Sequence, residues 1–301
     1  MARRSSGSLA AFLTLALVVA ACSAVEGRSV PTTVPIVPTV PEQTTTTIGV
    51  TTTVPVTTTY PATVSTEPIE EIDAVVAVPE GDGPFPAVVL VHGGGWVTGN
   101  PRIMIPLQRH LGDAGFLTVN TSYHLATRAS PGFPEAVEDV ACAVRYASSH
   151  PDSDGTVVLV GHSAGAHIAA IVALTGDSYV SDCPYEGKAL PDKFVGLAGP
   201  YDVARLGLAA SLFFGSGPTA DPESWTAGNP GSLVDRNPDL SALILYGDRD
   251  GLVDDRFAID FHDALTAAGS SSLLELVEGA RHGDLLDPDL VGDLIVTWLE
   301  R

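Results

Sequence analysis

"LVGHSAG", residues 159–165, is the stretch on which the fold turns. Ser163 stands midway between Gly161 and Gly165. It follows Thr156–Val160, five residues that read as a buried strand, and precedes Ala164–Leu174, which reads as a helix. A chain passing straight from strand to helix must bend sharply at the serine. Glycine suits the flanking positions, because a side chain there would meet the neighbouring strand or helix. The bend lifts the hydroxyl above the strand end, beside a helix N-terminus that favours negative charge. A bare G-x-S-x-G recurs by chance, so strand and helix around it carry the weight.

Outward from this bend the chain alternates short apolar runs with amphipathic ones. Expected strands are Ile72–Val78, Ala87–Val91, Phe116–Asn120, Thr156–Val160, Phe194–Ala198, Ala242–Tyr246 and Leu273–Val277. Expected helices are Met104–Ala114, Pro134–Ser149, Ala164–Leu174, Arg256–Ala268 and Pro288–Leu299. The alternation predicts an α/β fold: a mostly parallel central sheet of about seven to eight strands with helices on both faces. Residues 69–301 suit one such domain.

The chain before it is different. Residues 29–66, "SVPTTVPIVPTVPEQTTTTIGVTTTVPVTTTYPATVST", carry one charge, Glu42, and no helical period. Proline interrupts any central strand. An extended tether over residues 22–68 is expected, with a β-rich stalk as the alternative. Upstream, Arg3 and Arg4 precede an uncharged apolar run from Leu9 to Ala21, too short for the roughly 20 residues of a membrane span. This pattern predicts a signal peptide over residues 1–21. Val19-Ala20-Ala21-Cys22 resembles the bacterial lipobox, which implies lipidation of Cys22. An ordinary signal peptide containing a cysteine is the alternative. The expectation is export to a bacterial cell envelope, anchored by lipid to the outer face of the cytoplasmic membrane, with release as the other outcome.

The full chain of 301 residues has 15 basic and 36 acidic residues, a formal charge of −21. That excludes a nucleic-acid partner bound through a basic face and suits a solvated surface that resists self-association. No P-loop, dinucleotide fingerprint or metal-ligand cluster is present, so neither a cofactor nor a metal is expected.

A second glycine feature sharpens the reading. In "VLVHGGGW", Val89–Trp96, three glycines follow a strand about 70 residues before Ser163. Their backbone N–H groups are free to point into a cleft. With the N–H of Ala164, those of Gly93 and Gly94 can hold a developing oxyanion. A flexible turn is the alternative.

Four motifs occur in order: "HGGGW" at 92–96, "YHLA" at 123–126 with "FPEAVEDV" at 133–140, "GHSAGAHIA" at 161–169, and "YGDRDGLV" at 246–253. Together they resemble the α/β-hydrolase fold, specifically the HGGG-type carboxylesterases and kynurenine-formamidase-like enzymes, over about Ile72–Arg301. Two features depart from the family. Thr127 and Arg128 stand where many relatives show Pro-Glu, and the chain before Ala87 is short for the usual leading strands.

The resemblance implies a nucleophilic serine, Ser163, then an acid, then a histidine, in that chain order. Only His262 and His282 follow the acid region. His262 lies inside an amphipathic run, whereas His282, in "EGARHGDLL", follows a strand and precedes the last helix, so His282 is the expected base. Asp248, Asp250, Asp254 and Asp255 compete for the acid; the family pattern G-x-x-D-x-x-V selects Asp250, with Asp202 an outside candidate. Asp248 is expected to shape its turn and Asp284 to steady the histidine loop. His92 is expected to hold the glycine loop by a hydrogen bond.

Residues 199–240 form a long connection, and Phe213, Phe214 and Trp225 in it, with Trp96, are expected to line a pocket for a short acyl chain. A surface insertion is the alternative. In an exported chain Cys142 and Cys183, flanking the same part of the sheet, are expected to pair. The expected activity is hydrolysis of small-molecule, short-chain acyl esters through an acyl-enzyme. An aryl formamidase using the same residues is one alternative, and a non-catalytic surface module another.

Overall fold

The structure, a computed structural model, describes residues 74–179 and 183–301. The expected signal peptide, Cys22 and the tether lie outside the described residues.

Seven strands form one sheet among the described residues: β1 (Ala74–Ala77), β2 (Phe85–Val91), β3 (Leu117–Thr121), β4 (Ser153–His162), β5 (Lys193–Leu197), β6 (Ser241–Gly247) and β7 (Ser271–Val277). Their order is β1-β3-β2-β4-β5-β6-β7. Only β1 runs antiparallel to its neighbour, β3; the pairs from β3 through β7 are parallel. Alternation along β2 sends Ala87, Val89 and Val91 to one face and Val88 and Leu90 to the other, each into its own core.

Helices α1 (Ile105–Asp113), α2 (Glu135–Ser149), α3 (Ala164–Thr175), α4 (Ser211–Phe214), α5 (Pro222–Ala227), α6 (Asp255–Ala268) and α7 (Pro288–Leu299) cover both faces. Leu107 and Leu111 of α1 and Val291 and Ile295 of α7, each one turn apart, pack on the Val88–Leu90 face. α2, α3 and α6 share the other face. α3 is unusual because every residue from Ala164 to Leu174 is buried. The sheet lies on one side of it and the 199–240 connection on the other. Ile168, Ile171 and Leu174 are each fully buried, and burial of such a side chain stabilises by about 1.5–3 kcal/mol.

Element edges moved where backbone chemistry demanded it. β2 begins at Phe85, two residues earlier than expected, and its register on β4 shifts between Phe85 and Ala87. Pro86 lies at that irregularity and has no N–H for the ladder. The 199–240 connection folds into α4, α5 and 3-10 turns.

Cys142 of α2 and Cys183 form a disulfide, with Cα atoms 5.6 Å apart. It staples α2 to the chain beyond α3. The cysteines are 41 residues apart, so loop-closure entropy predicts a contribution of about 3–4 kcal/mol. Replacing both by alanine should lower the unfolding free energy by that amount in chemical denaturation, and reductant should do the same to the wild type while leaving the double variant unchanged. Reductant-insensitive wild-type stability would contradict the staple.

Candidate active site

The bend at Ser163 is held from both sides. Ser163 has φ 55° and ψ −122°, a region costing about 1–3 kcal/mol that persists only when its surroundings over-determine it. Its N–H donates to Leu197 O of β5 at 2.8 Å, and its carbonyl accepts from His167 N–H at 3.1 Å. A side chain at Gly161 would strike the backbone of Gly165 and Ala166, and one at Gly165 the carbonyls of Val91 and His92. The end of β2 and the first turn of α3 therefore touch backbone to backbone, which only glycine permits.

Asp250 and His282 arrive from the loops after β6 and β7. His282 Nε2 lies 2.9 Å from Ser163 Oγ, and its Nδ1 lies 2.7 Å from Asp250 Oδ2. A carboxylate accepts, so Nδ1 carries the proton and Nε2 offers its lone pair to the serine hydroxyl. Asp250 Oδ1 accepts the N–H groups of Leu252 and Val253 at 2.8 and 3.0 Å. Burial alone would raise the Asp250 pKa. The hydrogen bond and charge of His282, with the two N–H groups, outweigh it and hold the carboxyl below its ordinary value.

Neighbouring groups brace the two loops. Asp248 Oδ1 accepts Gly279 N–H at 2.6 Å, Arg249 N–H donates to Ala280 O at 3.0 Å, and Asp284 Oδ2 accepts Arg281 N–H at 2.8 Å. Asp202 instead binds Arg205 and Asn229, and His262 binds Ser272 Oγ at 2.9 Å. Neither belongs to the Ser163 cluster.

The glycine loop borders the serine directly: a side chain at Gly93 would begin 3.0 Å from Ser163 Cβ. Side chains fix the carbonyls around it. His92 Nδ1–H donates to Gly93 O at 2.8 Å, and Tyr123 Oη–H donates to His92 O at 3.1 Å while stacking on the His92 ring. Val97 and Thr98 N–H donate to Gly94 O. Among the described residues no backbone carbonyl accepts the N–H of Gly93, Gly94 or Ala164. Ala164 opens α3, where an N–H has no partner within the helix.

Two histidines join this frame with roles the sequence did not reveal. His167 Nδ1 accepts from Trp96 Nε1–H at 3.1 Å, and its Nε2–H donates to Gly228 O at 2.8 Å. It thereby links the glycine loop, α3 and the 199–240 connection. His162 Nε2–H donates to the carbonyl of His282 at 2.9 Å. Burial lowers their pKa values to about 4 and about 3 respectively, so both rings stay neutral. Their partners are 61 to 120 residues distant in sequence, beyond any local signal.

The four aromatic residues expected at the pocket pack against one another. Trp96, Phe213, Phe214 and Trp225 are all buried. Trp96 meets Phe213 at 5.6 Å, Phe213 meets Phe214 at 5.0 Å, and Phe214 stacks on Trp225 at 4.3 Å. They fill space as a packed cluster. Cavities of about 740 Å³, lined by Leu174, Tyr179, Leu233 and others, and about 280 Å³, beside Tyr201 and Phe261, lie elsewhere and none of the four lines them.

The BD-FAE family profile matches residues 75–265, more than half of the chain. The chain belongs to the BD-FAE family. The BD-FAE match contains Gly93, Ser163 and Asp250, and ends before His282. The chain is similar to esterase LipC of Mycobacterium tuberculosis, 29% identical over 223 residues, covering 68% of this chain and 54% of that one. It is also similar to the probable isoprenylcysteine alpha-carbonyl methylesterase ICMEL1 of Arabidopsis thaliana, 26% identical, covering 69% and 47%. This BD-FAE chain thus spans about half the length of the curated relatives it matches. Two solved structures share its fold. A truncated carbohydrate esterase from gut microbiota superposes with a TM-score of 0.67 at 20% identity, covering 76% of this chain and 90% of that one. Propionate-bound Est2, an esterase of Thermogutta terrifontis, gives 0.63 at 21%, covering 80% and 93%. The fold is the α/β-hydrolase fold expected from the motifs.

The depressed Asp250 pKa has a pH consequence. A carboxyl whose folded pKa lies below its unfolded value of about 3.9 adds stability that is fully present above that value. The contribution disappears as pH falls through the folded pKa. Asp250→Asn should therefore flatten the loss of stability below about pH 4, as read by chemical denaturation across pH. It should also cut turnover by about 10⁴-fold, because the amide no longer selects the reactive tautomer. An unchanged acid limb would show that the carboxylate is not held by these bonds.

Proposed function

We propose that this chain is a serine carboxylesterase. The observation that carries the reading is the continuous relay from Asp250 through both nitrogens of His282 to Ser163 Oγ. In this mechanism Ser163 Oγ attacks the ester carbonyl carbon while His282 Nε2 takes its proton. Charge develops on the carbonyl oxygen. The N–H groups of Gly93, Gly94 and Ala164 are suited to hold that oxyanion, and one such donor is worth about 10²–10³-fold in rate. Collapse expels the alcohol, which receives the proton from His282. Water, activated by the same nitrogen, then attacks the acyl-serine and releases the acid. The Asp250 carboxylate stabilises the imidazolium formed in each half-reaction. A non-catalytic surface module has no use for so complete a relay.

We further propose a small acyl group. The space behind the glycine loop is taken by Trp96, Phe213 and Phe214, which pack on one another, on His167 and on Phe133. A long chain has to displace them, whereas an acetyl or butyryl group does not. Aryl esters of increasing acyl length test both statements. Turnover should peak between roughly two and six carbons and fall beyond. Ser163→Ala should abolish it by at least about 10⁴-fold with the fold intact, and Phe213→Ala should move the optimum to longer chains. A long-chain optimum in the wild type would refute the acyl-size reading, retained turnover in Ser163→Ala the serine mechanism, and a preference for an aryl formamide over the ester would select the formamidase chemistry.

Location is likewise a proposal. The Arg3–Arg4 start, the apolar run and Cys22 support export with a lipid on Cys22, and a disulfide suits an oxidising compartment. The mass of the mature N-terminal peptide should be that of a diacylglyceryl-cysteine at Cys22. A mature chain that begins elsewhere, or carries no lipid, rejects the anchor.

A further inference from the structure

His162 fills the variable position of the G-x-S-x-G bend, as the last residue of β4. Its ring is buried, and parts of the site meet on it from two directions. On one side Nε2 lies 2.9 Å from the carbonyl oxygen of His282, and the two rings pack with centroids 4.8 Å apart at 51°. On the other side a side chain grown on Gly93 would begin 2.8 Å from His162 Nδ1. The nucleophile turn, the glycine loop and the base loop are thus in contact through one imidazole.

The polar chemistry of that ring is one-sided. A carbonyl only accepts, so Nε2 carries the proton and Nδ1 the lone pair. Burial keeps the ring neutral, with a pKa of about 3. Nδ1 is buried and finds no hydrogen-bond partner, which is destabilising in itself. An apolar side chain of similar size would avoid that cost. What the imidazole adds is a single bond, and it ends on the backbone of His282.

His282 has to stay in line with Ser163 Oγ while its ring gains and loses a proton. Asp250 holds the ring at Nδ1, and Asp284 holds the preceding N–H of Arg281. Neither bond fixes the residue's own carbonyl. The His162 bond reaches it from outside the 3-10 turn His282–Leu286 that His282 opens. Displacement of a reacting group by about 1 Å can cost about 10²-fold in rate, so a tether at this point acts on turnover more than on substrate binding.

We propose that His162 is a positioning residue whose Nε2–H tethers the His282 backbone and thereby holds His282 Nε2 against Ser163 Oγ. The inference rests on the reading of Ser163 and His282 as nucleophile and base.

Two amides of different reach test it. In His162→Gln the amide nitrogen stands as many bonds from Cα as Nε2 does and can reach the His282 carbonyl. In His162→Asn it stands one bond closer, as Nδ1 does, and cannot. Both are polar and fit within the volume of the imidazole. Turnover of a short aryl ester by the Gln variant should stay within about threefold of wild type. The Asn variant should lose about 10–100-fold in kcat with KM within about twofold. Amide hydrogen exchange across residues 279–286 should quicken in the Asn variant and remain near wild type in the Gln variant. Exchange is read without turnover, so it reports the tether even if Ser163→Ala, measured in parallel, retains activity and sinks the underlying mechanism. His162→Leu should resemble Asn; should it not fold, the amide pair decides alone. An Asn variant that equals or exceeds the Gln variant in kcat and in protection overturns the inference.

Discussion

The contact between the end of β2 and the first turn of α3 is the constraint on which the site depends. Gly165 lies against the carbonyls of Val91 and His92 with no room for a side chain. That approach places the glycine loop beside Ser163 and the first N–H of α3 in the same small volume. It also forces the bend, so that Ser163 must adopt its strained backbone conformation. The bond from Ser163 N–H to Leu197 O then fixes the bend to β5. Ser163 and the free N–H groups of Gly93, Gly94 and Ala164 are thus positioned by backbone packing, before any side chain acts.

Side chains supply the second layer, and imidazoles dominate it. His92 orients the carbonyl of Gly93, His167 ties Trp96 to Gly228, and His162 reaches the carbonyl of His282. Each is buried, and burial lowers the pKa of all three. A neutral ring presents one donor and one acceptor in a fixed direction, which suits the orientation of backbone groups. His282 differs in having a carboxylate partner, Asp250.

The sequence revealed the parts built from local pattern. Short apolar runs located all seven strands to within a few residues, because the sheet is buried between two cores. Gly161, Gly165 and the triple glycine were legible because close approach leaves a compositional mark. The pairing of Asp250 with His282 followed from the chain order and the G-x-x-D-x-x-V pattern of the resembling family. His162 and His167 were opaque, since their partners are set by tertiary folding. Residues 199–240 were read for their length and aromatic content, and Phe213, Phe214 and Trp225 form a packed cluster. Aromatic composition marks burial but not whether a cavity lies alongside. The two short helices there, four and six residues long, offer too few turns for a helical period to emerge.

The central claim is that Ser163 Oγ is the atom that accepts the acyl group. Incubation with an aryl organophosphate that mimics the tetrahedral intermediate, followed by peptide mass mapping, tests it most directly. The account predicts one adduct per chain on the peptide containing Ser163, formed in step with the loss of ester hydrolysis and blocked by a short-chain ester. An adduct on another residue, or complete inhibition with Ser163 unmodified, would contradict it.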